Sequence, residues 1–227
     1  MEQHQFGLED ESKVCAILNA FDRFAAIDMH CATSGSLGFG LIHYSLIRTL
    51  RPENVLAIGS KAGFIPAIIA CALKANGTGR LQFVDANYSG VIDGLKAYGG
   101  IGRWTRPKEE VFALFELHRF IDIEICPSDN FFAQNAKHFG YIYLDGDRSL
   151  EGVQRDITNS LAALDPGGII AIHDSEPDST LMKYGLEVAE AIRSYNEVNI
   201  HRISIRVSPG LTFIQPIDEP ASQSNQR

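Results

Sequence analysis

The stretch Val55-Leu56-Ala57-Ile58-Gly59-Ser60-Lys61-Ala62-Gly63-Phe64-Ile65-Pro66 decides the fold. Four apolar residues make a short strand, and a turn over residues 59–63 stops it. An apolar run then restarts at Phe64 and reads as a helix to residue 74. Pro66 fits because a helix tolerates proline only in its first turn. A strand that turns directly into a helix is the opening of a crossover unit, which lays down its next strand parallel to the first.

The same alternation continues downstream. Asn76-Gly77-Thr78-Gly79 breaks the helix, and a second strand over residues 81–84 ends at Asp85. A third strand is predicted at 121–125, a helix at 130–138 and a fourth strand at 141–144. Leu150, Val153, Ile157, Leu161 and Leu164 form a helical stripe over residues 149–164, which Asp165-Pro166-Gly167-Gly168 ends. A fifth strand at 169–172, a helix at 180–195 and a hairpin of 200–207 with 211–214 about Ser208-Pro209-Gly210 complete the pattern. Five short apolar strands, each followed by a helix, imply an α/β fold with a parallel sheet covered on both faces. The hairpin adds one antiparallel strand.

Upstream, Val14, Ile17, Leu18 and Phe21 predict an amphipathic helix over residues 11–24. Residues 33–40 read as flexible, and a helix at 41–50 stops before Arg51-Pro52. The expected organisation is a helical cap forming the substrate region (1–50), a core (51–216) and a frayed polar tail (217–227). The core carries an insertion over about 86–119. Gly90, Gly94, Gly99, Gly100 and Gly102 make its first half pliable, and residues 107–118 read as a helix. Trp104 leaves two readings open, a lid over the site or a packing anchor.

Composition bounds the function. The 227 residues carry 20 Lys and Arg against 28 Asp and Glu, a net charge of −8, with 45% hydrophobic residues. That length suits one domain. The acidity argues against a nucleic-acid binder, which needs a basic footprint to displace counterions. Cys15, Cys31, Cys71 and Cys126 form no C-x-x-C pair and read as small buried thiols. Neither a signal peptide nor a membrane span is expected, so the cytoplasm is the expected compartment.

In open parallel sheets ligands bind beyond the carboxyl ends of the strands. Those ends here are Gly59, Asp85, Cys126, Asp145 and His173-Asp174, which puts three acids on one rim. The Gly59–Gly63 turn lets backbone approach a ligand and opens a helix whose amides attract negative charge. It matches neither G-x-x-x-x-G-K-[ST] nor G-x-G-x-x-G. An acid closing the second strand suits ribose hydroxyls. Together the turn and Asp85 point to a nucleoside-bearing cofactor.

These residues resemble a family. Ile58-Gly59-Ser60-Lys61-Ala62-Gly63, Phe83-Val84-Asp85, Tyr143-Leu144-Asp145-Gly146-Asp147-Arg148-Ser149-Leu150-Glu151-Gly152-Val153, Pro166-Gly167-Gly168 and Ile172-His173-Asp174 look like a class I S-adenosylmethionine-dependent methyltransferase. The branch is the one holding macrocin-type and caffeoyl-CoA-type O-methyltransferases. The resemblance implies a Rossmann-like sheet of seven strands, mostly parallel, with the last strand inserted antiparallel. It implies S-adenosylmethionine as cofactor, held by Gly59, Ser60, Gly63, Phe64, Asp85 and Ala86. Ser128 or Asp129 would stand near the adenine and Asp145 beside the sulfonium. The glycine-rich segment 36–40 would close over the cofactor.

Three positions depart from the pattern: Ala57 replaces the acid ending the first strand, Lys61 the middle glycine and Arg148 the histidine after D-G-D. Arg148 falls at a catalytic position, yet a guanidinium stays protonated and takes no proton from a hydroxyl. Deprotonation would then fall to His173, whose ordinary pKa suits a base. The alternative is a divalent cation such as Mg2+ on Asp145 and Asp174; Ser175 follows Asp174 where metal-using relatives carry an Asp or Asn. A third reading of Asp174, His173 and Asp147 is local capping.

The expected function is methylation of a hydroxyl on a small molecule, a sugar or another natural-product intermediate, by a monomer or homodimer. A methyltransferase-like binding protein and a nicotinamide-dependent oxidoreductase are the alternatives.

Overall fold

The computed structural model describes residues 7–8, 11–33, 35–87, 91–92, 95–96, 103–176, 183–195 and 200–217. The predicted start of the last helix at 180, the tail beyond 217 and glycines 90, 94, 99, 100 and 102 lie outside them.

The strand that opens the core is β1 (Asn54–Ile58), preceded by α1 (Glu11–Ala20), α2 (Arg23–His30) and α3 (Phe39–Leu50). After it come α4 (Phe64–Asn76), β2 (Arg80–Asp85) and a small hairpin of β3 (Val91–Ile92) and β4 (Leu95–Lys96). Then follow α5 (Lys108–Val111), β5 (Ile121–Ile125), α6 (Ser128–Gln134), β6 (Phe139–Leu144) and α7 (Leu150–Ala162). The chain closes with β7 (Leu164–His173), α8 (Lys183–Ser194), β8 (Ile200–Ile205) and β9 (Leu211–Pro216).

The main sheet has seven strands in the order β5-β2-β1-β6-β7-β9-β8. β9 runs antiparallel to both neighbours, and the other pairs are parallel. Alternation along β1 sorts the core into two layers. Val55 and Ala57 join the side chains of α1, α3 and α4, whereas Leu56 and Ile58 join those of α6, α7 and α8. α4 is buried along almost its whole length, which explains an apolar run with no polar stripe. Among the described residues no helix is long and apolar enough to cross a membrane.

Several elements differ from the sequence reading. The helix expected over residues 11–24 stops at Ala20, because Asp22 adopts a left-handed φ of 58° and the chain restarts as α2. Phe21 is driven into the core, stacking 5.5 Å from Phe112. The helix expected at 107–118 is α5 followed by a 3-10 segment, Leu114–Phe120. Phe115 and Glu116 turn left-handed there, so that Phe112 and Leu117 both reach the core. α6 starts two residues earlier than expected, at Ser128. Pro166-Gly167-Gly168 lies inside β7 as an irregularity in the β6–β7 register. The cap of α7 is Ser149, whose Oγ accepts from the Gly152 amide at 3.1 Å, and Asp147 supports it from the Ser149 amide. Of the four cysteines only Cys71 is buried; Cys15, Cys31 and Cys126 are half-buried.

Trp104 resolves as an anchor. It is 2% exposed, packs edge-on to Phe83 at 4.7 Å and stacks on Phe112 at 6.0 Å.

Candidate active site

The backbone brings the strand ends into one line. The Gly59 amide donates to Val84 O at 2.8 Å and the Asp145 amide to Ile58 O at 2.8 Å, so β2, β1 and β6 finish side by side. Gly59 takes φ 72°, and a methyl group on it would lie 2.3 Å from the Asp145 carbonyl oxygen. Only glycine permits that approach. Within the turn, Ser60 Oγ accepts from the Gly63 amide at 3.1 Å.

Asp85 is bound into the same turn. Its Oδ2 accepts from the Ser60 amide at 3.2 Å and its Oδ1 from the Asn87 amide at 2.7 Å. The carboxylate is buried at the end of β2, beside the turn. Ala86 is half-buried beside it, and Lys61 is exposed on the turn. Ala57 is fully buried in the core.

The two residues expected near an adenine separate. Ser128 turns its hydroxyl to Asp156 Oδ1 at 2.6 Å, whereas Asp129 is exposed and accepts from the Asn130 amide. Burial pushes the Asp156 carboxyl up to about 6 despite the Ser128 hydrogen bond. Phe64 is buried, stacked 5.2 Å from His30.

At the ends of β6 and β7, four charged side chains gather. Arg148 Nη2 donates to Asp145 Oδ1 at 2.9 Å, and its Nε lies 2.5 Å from Asp174 Oδ2. His173 Nδ1 lies 3.0 Å from Asp174 Oδ1 and 3.6 Å from Asp145 Oδ1. Its Nε2 donates to the Met29 carbonyl at 2.6 Å. Burial works against the charge on His173, but the carboxylates of Asp174 and Asp145 outweigh it and raise the group to about 10. Burial likewise opposes ionisation of Asp145, yet Arg148 and His173 hold it well below the usual carboxylate range. The quartet is therefore two anions and two cations, neutral in sum. His173 is an imidazolium whose Nε2 donates to Met29 and whose Nδ1 faces the two carboxylates, so the base role expected of it does not fit this arrangement. Asp174 adopts φ 55°, a strained backbone of the kind that collects at functional sites.

Sequence reasoning missed the second layer. Tyr143 donates to Asp145 Oδ2 at 3.1 Å. His30, at the end of α2, lies 4.5 Å from the His173 ring and is buried, its Nδ1 without a hydrogen bond. His43 Nδ1 and the Tyr141 hydroxyl share a hydrogen bond at 2.6 Å, and the His43 ring stands edge-on to Tyr143 at 5.0 Å. Burial lowers His43 to about 3 and His30 well below its ordinary value, so both are neutral. No spacing rule joins histidines on α2 and α3 to strand ends more than 100 residues away; the aromatic positions of β6 were the one available signal. The segment 36–40 does not stand free either, since Leu37 is fully buried and Gly38 is crowded against the His30 carbonyl.

Residues 56–175 match the profile of a family described as methyltransferase domain. The chain belongs to that family. Three solved methyltransferases share its fold. A Podospora anserina methyltransferase, PaMTH1, bound to S-adenosylhomocysteine is 16% identical over 96% of this chain and 92% of its own, with a TM-score of 0.65. A Bacillus cereus O-methyltransferase in complex with S-adenosylhomocysteine is 14% identical over 91% of each chain, with a TM-score of 0.63. The O-methyltransferase TomG of Streptomyces achromogenes, involved in tomaymycin synthesis and solved with S-adenosylmethionine, is 16% identical over 95% of this chain and 99% of its own, with a TM-score of 0.61. A search of curated proteins finds no match. The methyltransferase match covers the turn, Asp85 and the whole quartet, and it displaces the oxidoreductase alternative. The topology agrees with the resemblance, β9 being inserted antiparallel between β7 and β8.

Proposed function

We propose that this methyltransferase is an S-adenosylmethionine-dependent O-methyltransferase whose acceptor is a hydroxyl on a small molecule. The observation that carries the reading is the Ser60 amide to Asp85 hydrogen bond, which joins the glycine turn and the strand-end acid into one cradle. Asp85 there closes the second strand, where an acid suits a ribose, and the glycines let the turn pack close against Asp145 and Trp104, which brings its amides to the same rim. The cofactor supplies an activated methyl group on a sulfonium.

The chain supplies alignment, which can account for several kcal/mol of a transfer barrier. Asp145, fixed by Tyr143 and Arg148, is the acid that the reading sets beside the sulfonium, its orientation held by those two contacts. Arg148 and His173 hold that carboxylate in place; as the methyl passes from sulfur to the acceptor oxygen, the hydroxyl proton leaves to solvent. The net charge of −8 favours a small acceptor over nucleic acid. The neighbour TomG, from natural-product synthesis, supports a natural-product acceptor.

Calorimetry with S-adenosylhomocysteine tests the reading. Micromolar binding is expected, weakened tenfold or more by Asp85→Ala, about 1.4 kcal/mol. Absence of binding to the folded wild-type protein would overturn it.

A further inference from the structure

Asp145, His173 and Asp174 bring one ligand atom each within 4.8 Å of one another, a spacing that invites a divalent cation. The rest of the site does not fit one. Arg148 reaches between the two acids, Nη2 on Asp145 and Nε on Asp174. Both carboxylate side chains are less than a tenth exposed, so a metal could reach the pair only by displacing the guanidinium. His173 Nε2 is taken up by the Met29 carbonyl, and its Nδ1 stands 3.0 Å from Asp174, the acid that Arg148 already contacts. Ser175 Oγ, next along the chain, accepts from Thr212 at 2.8 Å.

We infer that Arg148 is a built-in cation that takes the place of a divalent metal between Asp145 and Asp174. The Arg148 guanidinium already lies against both carboxylates, and a divalent ion beside it in this buried pocket would be repelled at short range. The guanidinium never titrates away, and its planar fork spans two carboxylates where a metal would coordinate them. The site so built orients Asp145 with no metal to lose to chelators. The inference is independent of which acceptor is methylated, and its test reads cation binding, so its failure would leave the proposed function standing.

The probe is Mn2+ alone, followed by electron paramagnetic resonance and thermal unfolding of the full chain. The wild-type protein should leave the free Mn2+ signal undiminished, and its Tm should not move with Mn2+ or with chelator. Arg148→Ser should lose stability and bind one Mn2+ per chain. A hundredfold excess of Mn2+ over its dissociation constant should then raise that variant's Tm by about 5 °C or more. Adding Asp174→Asn should abolish both effects. A merely structural arginine would show the loss without the rescue. Stoichiometric Mn2+ binding by the wild type that Asp174→Asn removes would overturn the inference, as would a folded Arg148→Ser protein that binds none. Should the serine variant not fold, Arg148→Gln carries the same comparison at nearly the original side-chain length. The wild-type titration decides the metal-free half by itself.

Discussion

His173 donates from Nε2 to the backbone carbonyl of Met29 at 2.6 Å, tying the end of α2 to the end of β7. With Nε2 committed as a donor, a proton on Nδ1 is what the two nearby carboxylates hold in place.

That arrangement sets a pH window. The group lies at about 10 in the folded chain against 6.5 when unfolded. A raised value means the stabilisation is complete below about pH 6.5 and is lost as pH climbs through 10, at up to about 1.4 kcal/mol per unit. Urea unfolding between pH 6 and 10 should show this decline in the wild type. His173→Gln should be less stable at pH 6 and flatter across the window. A wild-type profile as flat as the variant's would exclude the charged imidazole.

Asp156 predicts the converse use of the same linkage. Its carboxyl, at about 6 against 3.8 unfolded, is easier to bury neutral than charged. The stability it adds in acid disappears as pH rises through 6. Asp156→Asn should therefore stabilise the protein at pH 7 by up to about 3 kcal/mol, with no gain below pH 4. Differential scanning calorimetry at both pH values checks it.

The buried His43–Tyr141 hydrogen bond carries no charge. Tyr141→Phe leaves the buried Nδ1 of His43 without its partner, at a cost of about 1–3 kcal/mol. Replacing both members with apolar residues, His43→Leu with Tyr141→Phe, should cost less than the sum of the single changes. Chemical denaturation of the four proteins gives the coupling directly.

Gly59→Ala would place a methyl 2.3 Å from the Asp145 carbonyl on a backbone at φ 72°. A loss of about 3 kcal/mol or more is expected, with weaker S-adenosylhomocysteine binding in whatever fraction folds. Alanine at Gly77, which has nothing within 4 Å but a φ of 70°, is the control for backbone strain alone. Equal losses at the two positions would remove the crowding argument.

The sheet was legible because parallel strands buried on both faces read as short apolar runs: Val55 to Ile58 and Tyr141 to Leu144 need no partner to be recognised. The motif acids were legible too, since strand ends fix Asp85, Asp145 and Asp174 to one rim. What stayed hidden depends on contacts distant in sequence. α2 has no periodic apolar stripe, yet it delivers Met29 and His30 to the quartet. The segment after Trp104 packs apolar residues too densely for one helical face, and only the left-handed turn at Phe115 and Glu116 lets Phe112 and Leu117 both go inward. The identity of Arg148 was plain from the sequence. Its bridge between two carboxylates was not, because Asp174 joins only through the β6–β7 pairing.

The order β7-β9-β8 also sets a timetable for synthesis. β8 emerges from the ribosome before β9 and finds no edge to join, because its only sheet neighbour is the strand made after it. Until Leu211–Pro216 arrive, residues 170–173 of β7 present unpaired amides and carbonyls, the sort of edge that recruits other chains. A nascent chain paused near residue 210 would hold that edge open, and chaperone demand should peak in that short interval.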